Sequence, residues 1–140
     1  MGDDPHVAGA GLVDTNIVIQ YSRLSQKLLP ATIAVSTVTL AELAAGVHAV
    51  SDAVERAMRV ELLQRVESSF EPIPFDVDAA RAYGLVAAAV REVGRSPWAR
   101  VADQMIAAVA IAARLPLYTT NPKDFEGLDR ILEVVPVARP

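Results

Sequence analysis

The chain contains no cysteine, which removes disulfides and thiolate metal sites from consideration and is compatible with a reducing cytosol. Histidine is scarce: His6 and His48 are the two present, and they are far apart in sequence. An acid–base chemistry built on paired imidazoles is therefore a minor reading, with both residues expected at the surface. No apolar run approaches the roughly 18 residues of a membrane span; the longest, Met105 to Ala113, is short and alanine-rich. The opening Met1–His6 carries Asp3 and Asp4 and no basic cluster, unlike a secretory signal, so a cytoplasmic location is expected. Positive charge is also in deficit, with 13 Lys and Arg against 17 Asp and Glu, a net charge of −4. Binding to phosphates usually rests on a basic surface, so this balance argues against a nucleic-acid substrate unless several of the acids face a metal that reverses their local sign.

What is present suits one folded domain. The 140 residues are 52% apolar, enough for a sizeable core, and no repeat, low-complexity tract or long linker divides them. A single domain over 1–140 is expected, with 1–9 an irregular leader. Ala10–Val13 reads as a strand, and helical spacing begins at Ile17, Val18 and Tyr21. Thr32–Val38 is β-branched and gives way to the strong helix formers Leu40–Ala45. Val54–Val66 is an amphipathic helix, Pro72–Phe75 a short strand, and Val77–Val93 a helix ended by Gly94. Ser96 and Pro97 suit a cap and a first helical position, opening a helix through Arg114. Leu117–Thr119 and Ile131–Val137 complete the strands. Alternating strands and helices imply a layered α/β domain with parallel pairing, whose ligands sit beyond the carboxyl ends of the strands.

Acids stand at those ends. Asp14 follows the first strand, where a helix cap is the simpler account if it is taken alone. Glu42 follows the second, and Thr39 with Glu42 matches a capping box. Asp103 is harder to explain, because its helical neighbours Ala99, Ile106, Ala107 and Ala110 form an apolar stripe. A carboxylate there needs compensation, either an ion pair with Arg100 three residues earlier or a metal. Asp124 lies in the polar turn after Leu117–Thr119, with Thr120 and Asn121 before it. Carboxylates gathered in one place repel unless cations separate them, and an oxygen-only ligand set suits magnesium or manganese.

Four stretches carry a resemblance: Val13–Ile17 (VDTNI), Thr39–Gly46 (TxxELxxG), Asp103–Ala108 (DxxIAA) and Thr119–Phe125 (TxNxxDF). In order and spacing they resemble the PIN domain, and most closely the VapC toxins of bacterial toxin–antitoxin pairs. The likeness runs from Leu12 to the end of the chain. It implies a three-layer α/β/α sandwich with a central, mainly parallel sheet. It implies Mg2+- or Mn2+-dependent cleavage of RNA and neutralisation by a cognate VapB-like antitoxin, with a homodimer permitted by apolar helix faces. Asp14 and Asp103 would then be the main metal ligands, with Glu42 completing the set directly or through water and Asp124 as fourth acid. Thr15 and Thr120 match supporting hydroxyl positions, whereas Asn121 departs from relatives that carry an acid near there; one metal or two is thus open. Arg95, Arg100 and Lys123 are candidate contacts to RNA phosphates. A receiver-like signalling domain, which normally pairs acids near its first strand, and a dehalogenase-like phosphatase, which would want an acid where Asn16 stands, are the rival readings. A non-catalytic module that uses its acids only as caps and ion pairs is another.

Overall fold

The computed structural model describes residues 9–140; residues 1–8, including most of the expected leader and His6, lie outside the described residues. Four strands form one parallel sheet: β1 (Ala10–Val13), β2 (Thr32–Ala34), β3 (Leu117–Thr119) and β4 (Val134–Pro136), in the order β2-β1-β3-β4. Five α-helices accompany them among the described residues: α1 (Thr15–Gln20), α2 (Thr37–Val47), α3 (Ala53–Ser69), α4 (Val77–Glu92) and α5 (Val101–Ala113). No helix there is long and apolar enough to cross a membrane.

Strand periodicity explains the layers. Successive side chains point to opposite faces, so Leu12 and Leu117 enter one core with Val86, Val90, Ile106 and Val109 of α4 and α5. Val13 and Tyr118 enter the other, with Ile17 of α1 and Leu62 and Val66 of α3. Helix α2 contributes to both, through Val38 on one side and Leu43 on the other. A sheet buried on both faces by helices is the expected three-layer α/β/α arrangement.

Register fixes where the chain delivers its polar groups. Val13 pairs with Tyr118, and the Asp14 amide donates to the Tyr118 carbonyl at 2.9 Å. From β1 the chain moves to β2 on one side and later to β3 on the other. The crevice between the carboxyl ends of β1 and β3 is therefore the topological switch point, where α/β sheets bind ligands. The close approach of these strands uses Gly11: a Cβ there would meet the Tyr118 ring at 2.5 Å and Pro30 at 3.1 Å.

Several element boundaries differ from the sequence expectation. The second strand stops at Ala34; Ser36 stays extended but makes only an isolated parallel bridge to Ile73 before α2 begins. The expected strand Pro72–Phe75 is that single bridge. The last strand contracts from Ile131–Val137 to Val134–Pro136. Ser36, not Thr39, caps α2 by accepting from the Thr39 amide at 3.1 Å, so the Thr39–Glu42 capping box does not form. Helix α5 starts at Val101 rather than Pro97, since Arg100 adopts the left-handed region at φ 54° and breaks helical continuity. Ser96 and Pro97 form a separate turn, in which the Ser96 hydroxyl accepts from the Trp98 amide at 3.2 Å.

Gly11→Ala should overpack this seam. We expect a loss of about 1–3 kcal/mol, the usual cost of forcing an extra methyl into a filled core. Denaturant unfolding measures it; an unchanged midpoint would show that the Tyr118 ring moves aside freely.

Candidate functional site

Asp14 caps α1 at the end of β1, with its Oδ1 accepting from the Thr15 amide at 2.8 Å. Its Oδ2 accepts from the Thr119 hydroxyl at 2.9 Å, a bond that ties the ends of β1 and β3 across 105 positions of sequence. The Thr119 hydroxyl oxygen in turn accepts from the Asn121 amide at 2.9 Å. The cap reading and the site reading of Asp14 are thus both satisfied by one side chain, which is only 2% exposed.

Glu42 is freed by the absent capping box and turns toward α1. Its Oε1 accepts from the Thr15 hydroxyl at 2.5 Å, while Thr15 and Thr39 share a hydroxyl contact at 2.9 Å. A hydroxyl has one proton, so with Thr15 donating to Glu42, Thr39 is the donor to Thr15. Two fully or largely buried threonine relays, Thr119 to Asp14 and Thr39 through Thr15 to Glu42, therefore aim these carboxylates.

Asp103 stands in the first turn of α5 with its side chain 17% exposed. The ion pair expected from its sequence neighbour is formed: the Arg100 Nε donates to Asp103 Oδ2 at 2.9 Å. The same guanidinium also reaches Asp124, donating from Nη2 to Oδ2 at 2.6 Å. Asp14, Glu42 and Asp103 line one open groove of about 770 Å³, whose far wall is α3 with Met58, Arg59 and Leu62.

Electrostatics follow this crowding. Burial, reinforced by the charges of Asp103 and Glu42 and opposed by the Thr119 bond, lifts Asp14 to about 6. Burial also raises Asp103; Arg100 opposes the rise, while Asp124 and Glu42 add to it.

Comparison with known proteins agrees with this geometry. Residues 11–131 match the PIN domain. The chain belongs to the PIN-domain family. This PIN domain is 38% identical over 123 residues to a Mycobacterium tuberculosis protein named Ribonuclease VapC5, covering 86% of this chain and 88% of the relative. It is 30% identical over 134 residues to a Rickettsia bellii Ribonuclease VapC, covering 90% and 95% respectively. The crystal structure of a VapBC toxin–antitoxin family member from Mycobacterium tuberculosis superposes with a TM-score of 0.80 at 37% identity, covering 94% of this chain and 99% of that one. Membership in this family displaces the receiver-like and phosphatase-like readings.

The remaining sequence candidates are distributed unevenly around the PIN-domain groove. The hydroxyl on Asp14 belongs to Thr119, the neighbour of the expected Thr120, which is buried and lends its carbonyl to Arg139. Asn121 offers its side-chain oxygen to Arg139. Arg95 is spent on the carbonyls of Asp124 and Glu126, at 3.3 and 3.2 Å, and staples the turn after β3. Lys123 is exposed on that turn, and His48 is exposed at the end of α2. Sequence reading took Thr39 for half of a capping box, gave Thr119 no bond to Asp14, and did not find the α3 wall. Only the β1–β3 register reveals the role of Thr119.

The donor set fits a hard divalent cation: clustered oxygens, two of them on carboxylates pushed upward by burial and mutual repulsion. As the side chains stand, no three acids among the described residues converge on one ion position. Hydroxyls hold Asp14 and Glu42, and a guanidinium holds Asp103. The groove gathers the ligands without closing a shell around them.

Metal-free stability should record the strain in Asp14. An unfolded chain ionises this group near 3.8 and the folded chain near 6. Between those values the folded form keeps the proton, so Asp14 lowers stability as pH rises through that window, by about 3 kcal/mol in total. Asp14→Asn should flatten the fall in Tm measured with chelator from about pH 4 to 8 and raise Tm at the upper end. An unaltered slope would place the titration elsewhere.

Proposed function

We propose that this PIN domain is a metal-dependent endoribonuclease, the toxin of a toxin–antitoxin pair, and that its ion is magnesium or manganese. The observation that carries the reading is the meeting of Asp14, Glu42 and Asp103 in one groove at the switch point of the parallel sheet. Its relatives named as VapC ribonucleases supply the substrate class, RNA. Structures of VapBC complexes supply the partner, a VapB-like antitoxin.

In this reading Asp14 and Asp103 hold the ion, Glu42 joins directly or through water, and Asp124 is the fourth acid. The bound ion would offset charge on the scissile phosphate and lower the pKa of an attacking water. The protein's own contribution is orientation. Thr119 and the Thr15 amide leave Asp14 a single rotamer, and the Thr39–Thr15 relay does the same for Glu42. Burial of Asp14 makes its negative charge strongly felt, which favours cation capture at neutral pH. Arg59 and Arg65 on the α3 wall line the same groove, each paired with an acid of its own helix, Glu55 and Glu61, so that wall is close to charge-neutral. Exposed Val54 and Met58 on α3, and Val77 and Leu85 on α4, are apolar surface that an antitoxin or a second copy can cover.

RNA cleavage with added magnesium or manganese tests the proposal, followed by mapping of the cut ends. Asp103→Asn should reduce cutting by about a hundredfold or more, the scale of losing one group that stabilises developing charge, with the circular dichroism spectrum unchanged. Chelator should silence the parent chain. Undiminished cutting in either case would end the reading.

A further inference from the structure

Among the described residues, Arg100 is the one side chain that contacts two of the four proposed site acids at once. Its Nε sits 2.9 Å from Asp103 Oδ2 and its Nη2 2.6 Å from Asp124 Oδ2, so a single guanidinium spans the gap between them. It is 53% exposed, and both acids are far less so, at 17% and 18%. The charge lies at the lip of the groove with its donors turned inward.

The local backbone is built to hold it there. Arg100 has φ 54° and ψ 47°, a left-handed conformation that a residue with a Cβ adopts only at a cost. The turn that carries it is pinned from three sides. The Gln104 amide nitrogen donates to the Ala99 carbonyl at 2.7 Å, the Arg95 amide donates to the Val90 carbonyl at 3.1 Å, and the Arg95 guanidinium grips the Asp124 carbonyl at 3.3 Å. Two arginines of one turn thus fix Asp124, one through its backbone and one through its carboxylate. Its neighbour Asn121 is neutral and already engaged by Arg139.

The four acids consequently divide into two pairs. Threonine hydroxyls, which carry no charge, hold Asp14 and Glu42. Asp103 and Asp124 share a fixed positive charge. Asp103 Oδ2 accepts from Arg100, and Asp103 lines the groove together with Asp14. We propose that Arg100 fills the place of a second cation, so that this chain takes one divalent ion at Asp14 and Asp103 and none between Asp103 and Asp124. The assignment rests on the metal-dependent reading above and specifies its stoichiometry. One divalent ion and one guanidinium leave the four carboxylates with a single residual negative charge, whereas one ion alone would leave two.

Titration of the metal-free full chain with Mn2+, without RNA, tests this by calorimetry and by the electron paramagnetic resonance signal of free Mn2+. We expect one ion per chain for the parent and two for Arg100→Gly, which removes the guanidinium and suits the left-handed backbone. Arg100→Gln, which keeps the side-chain bulk, is the second variant should the first fail to fold, and it too should bind two; Arg100→Lys should stay at one. Two ions on the parent, or one on both folded neutral variants, would overturn the proposal while leaving metal dependence intact. One ion bound at least tenfold tighter by those variants would make Arg100 a competitor for the same position and would equally overturn it. No ion on the parent would remove the metal-dependent reading itself, and this assignment with it.

Discussion

Taking Asp14 out of water costs free energy that a single carboxylate cannot recover from packing, and the surrounding structure is organised to meet that cost. The β1–β3 register brings Thr119 within 2.9 Å, and the start of α1 supplies the Thr15 amide. These bonds lower the cost without removing it, since burial and the nearby charges still lift the group to about 6. In the metal-dependent reading, a carboxylate kept in this state is poised for a cation. The same burial that makes the metal-free protein less stable at neutral pH makes the site more attractive to a divalent ion, because field lines are screened least where water is excluded.

The way the acids are held separates orientation from charge balance. Hydroxyl relays orient Asp14 and Glu42 and neutralise nothing. Arg100 neutralises Asp103 and Asp124 and, being tied to both, orients them as well. Exposed ion pairs contribute little to stability, but here both acids are largely shielded and the guanidinium is delivered by a strained, pinned turn. Strain retained at such a position is better understood as the cost of placing a charge than as a contribution to folding.

The layers of the fold were legible in local pattern: a short apolar run at Ala10–Val13, a short strand candidate at Leu117–Thr119 and helical spacing over Val77–Glu92. The acids were legible because strand ends in parallel sheets converge. What local pattern could not supply was competition between signals. Thr39 and Glu42 match a capping box, yet the bridge between Ser36 and Ile73 extends the backbone earlier and gives the cap to Ser36. Ser96 and Pro97 match a helix start, yet Arg100 takes a left-handed backbone in a turn pinned by Gln104 and Arg95, and the helix waits until Val101. Thr119 rather than Thr120 reaches Asp14 because Val13 is paired with Tyr118, and pairing between strands separated by a hundred residues leaves no mark in either one. Each of these departures lies beside the groove, where tertiary contacts outweigh local preference.

The acidic balance of the chain, which weighs against phosphate binding when read as a whole, looks different once its position is known. Asp14, Glu42, Asp103 and Asp124 belong to the cluster, and the net charge of −4 equals the charge these four alone would carry if ionised. The rest of the protein is then electrically balanced, and the sign of the groove is decided by what occupies the cluster. With Arg100 in place and a divalent ion bound, the local charge falls near zero, beside an α3 wall whose Arg59 and Arg65 are balanced by Glu55 and Glu61. Affinity for a polyanion would therefore be conditional on the ion, since an empty cluster repels the phosphate that a filled one admits. A basic surface would bind RNA whether or not it could cut it; an acidic site neutralised only when its ion is bound couples the two.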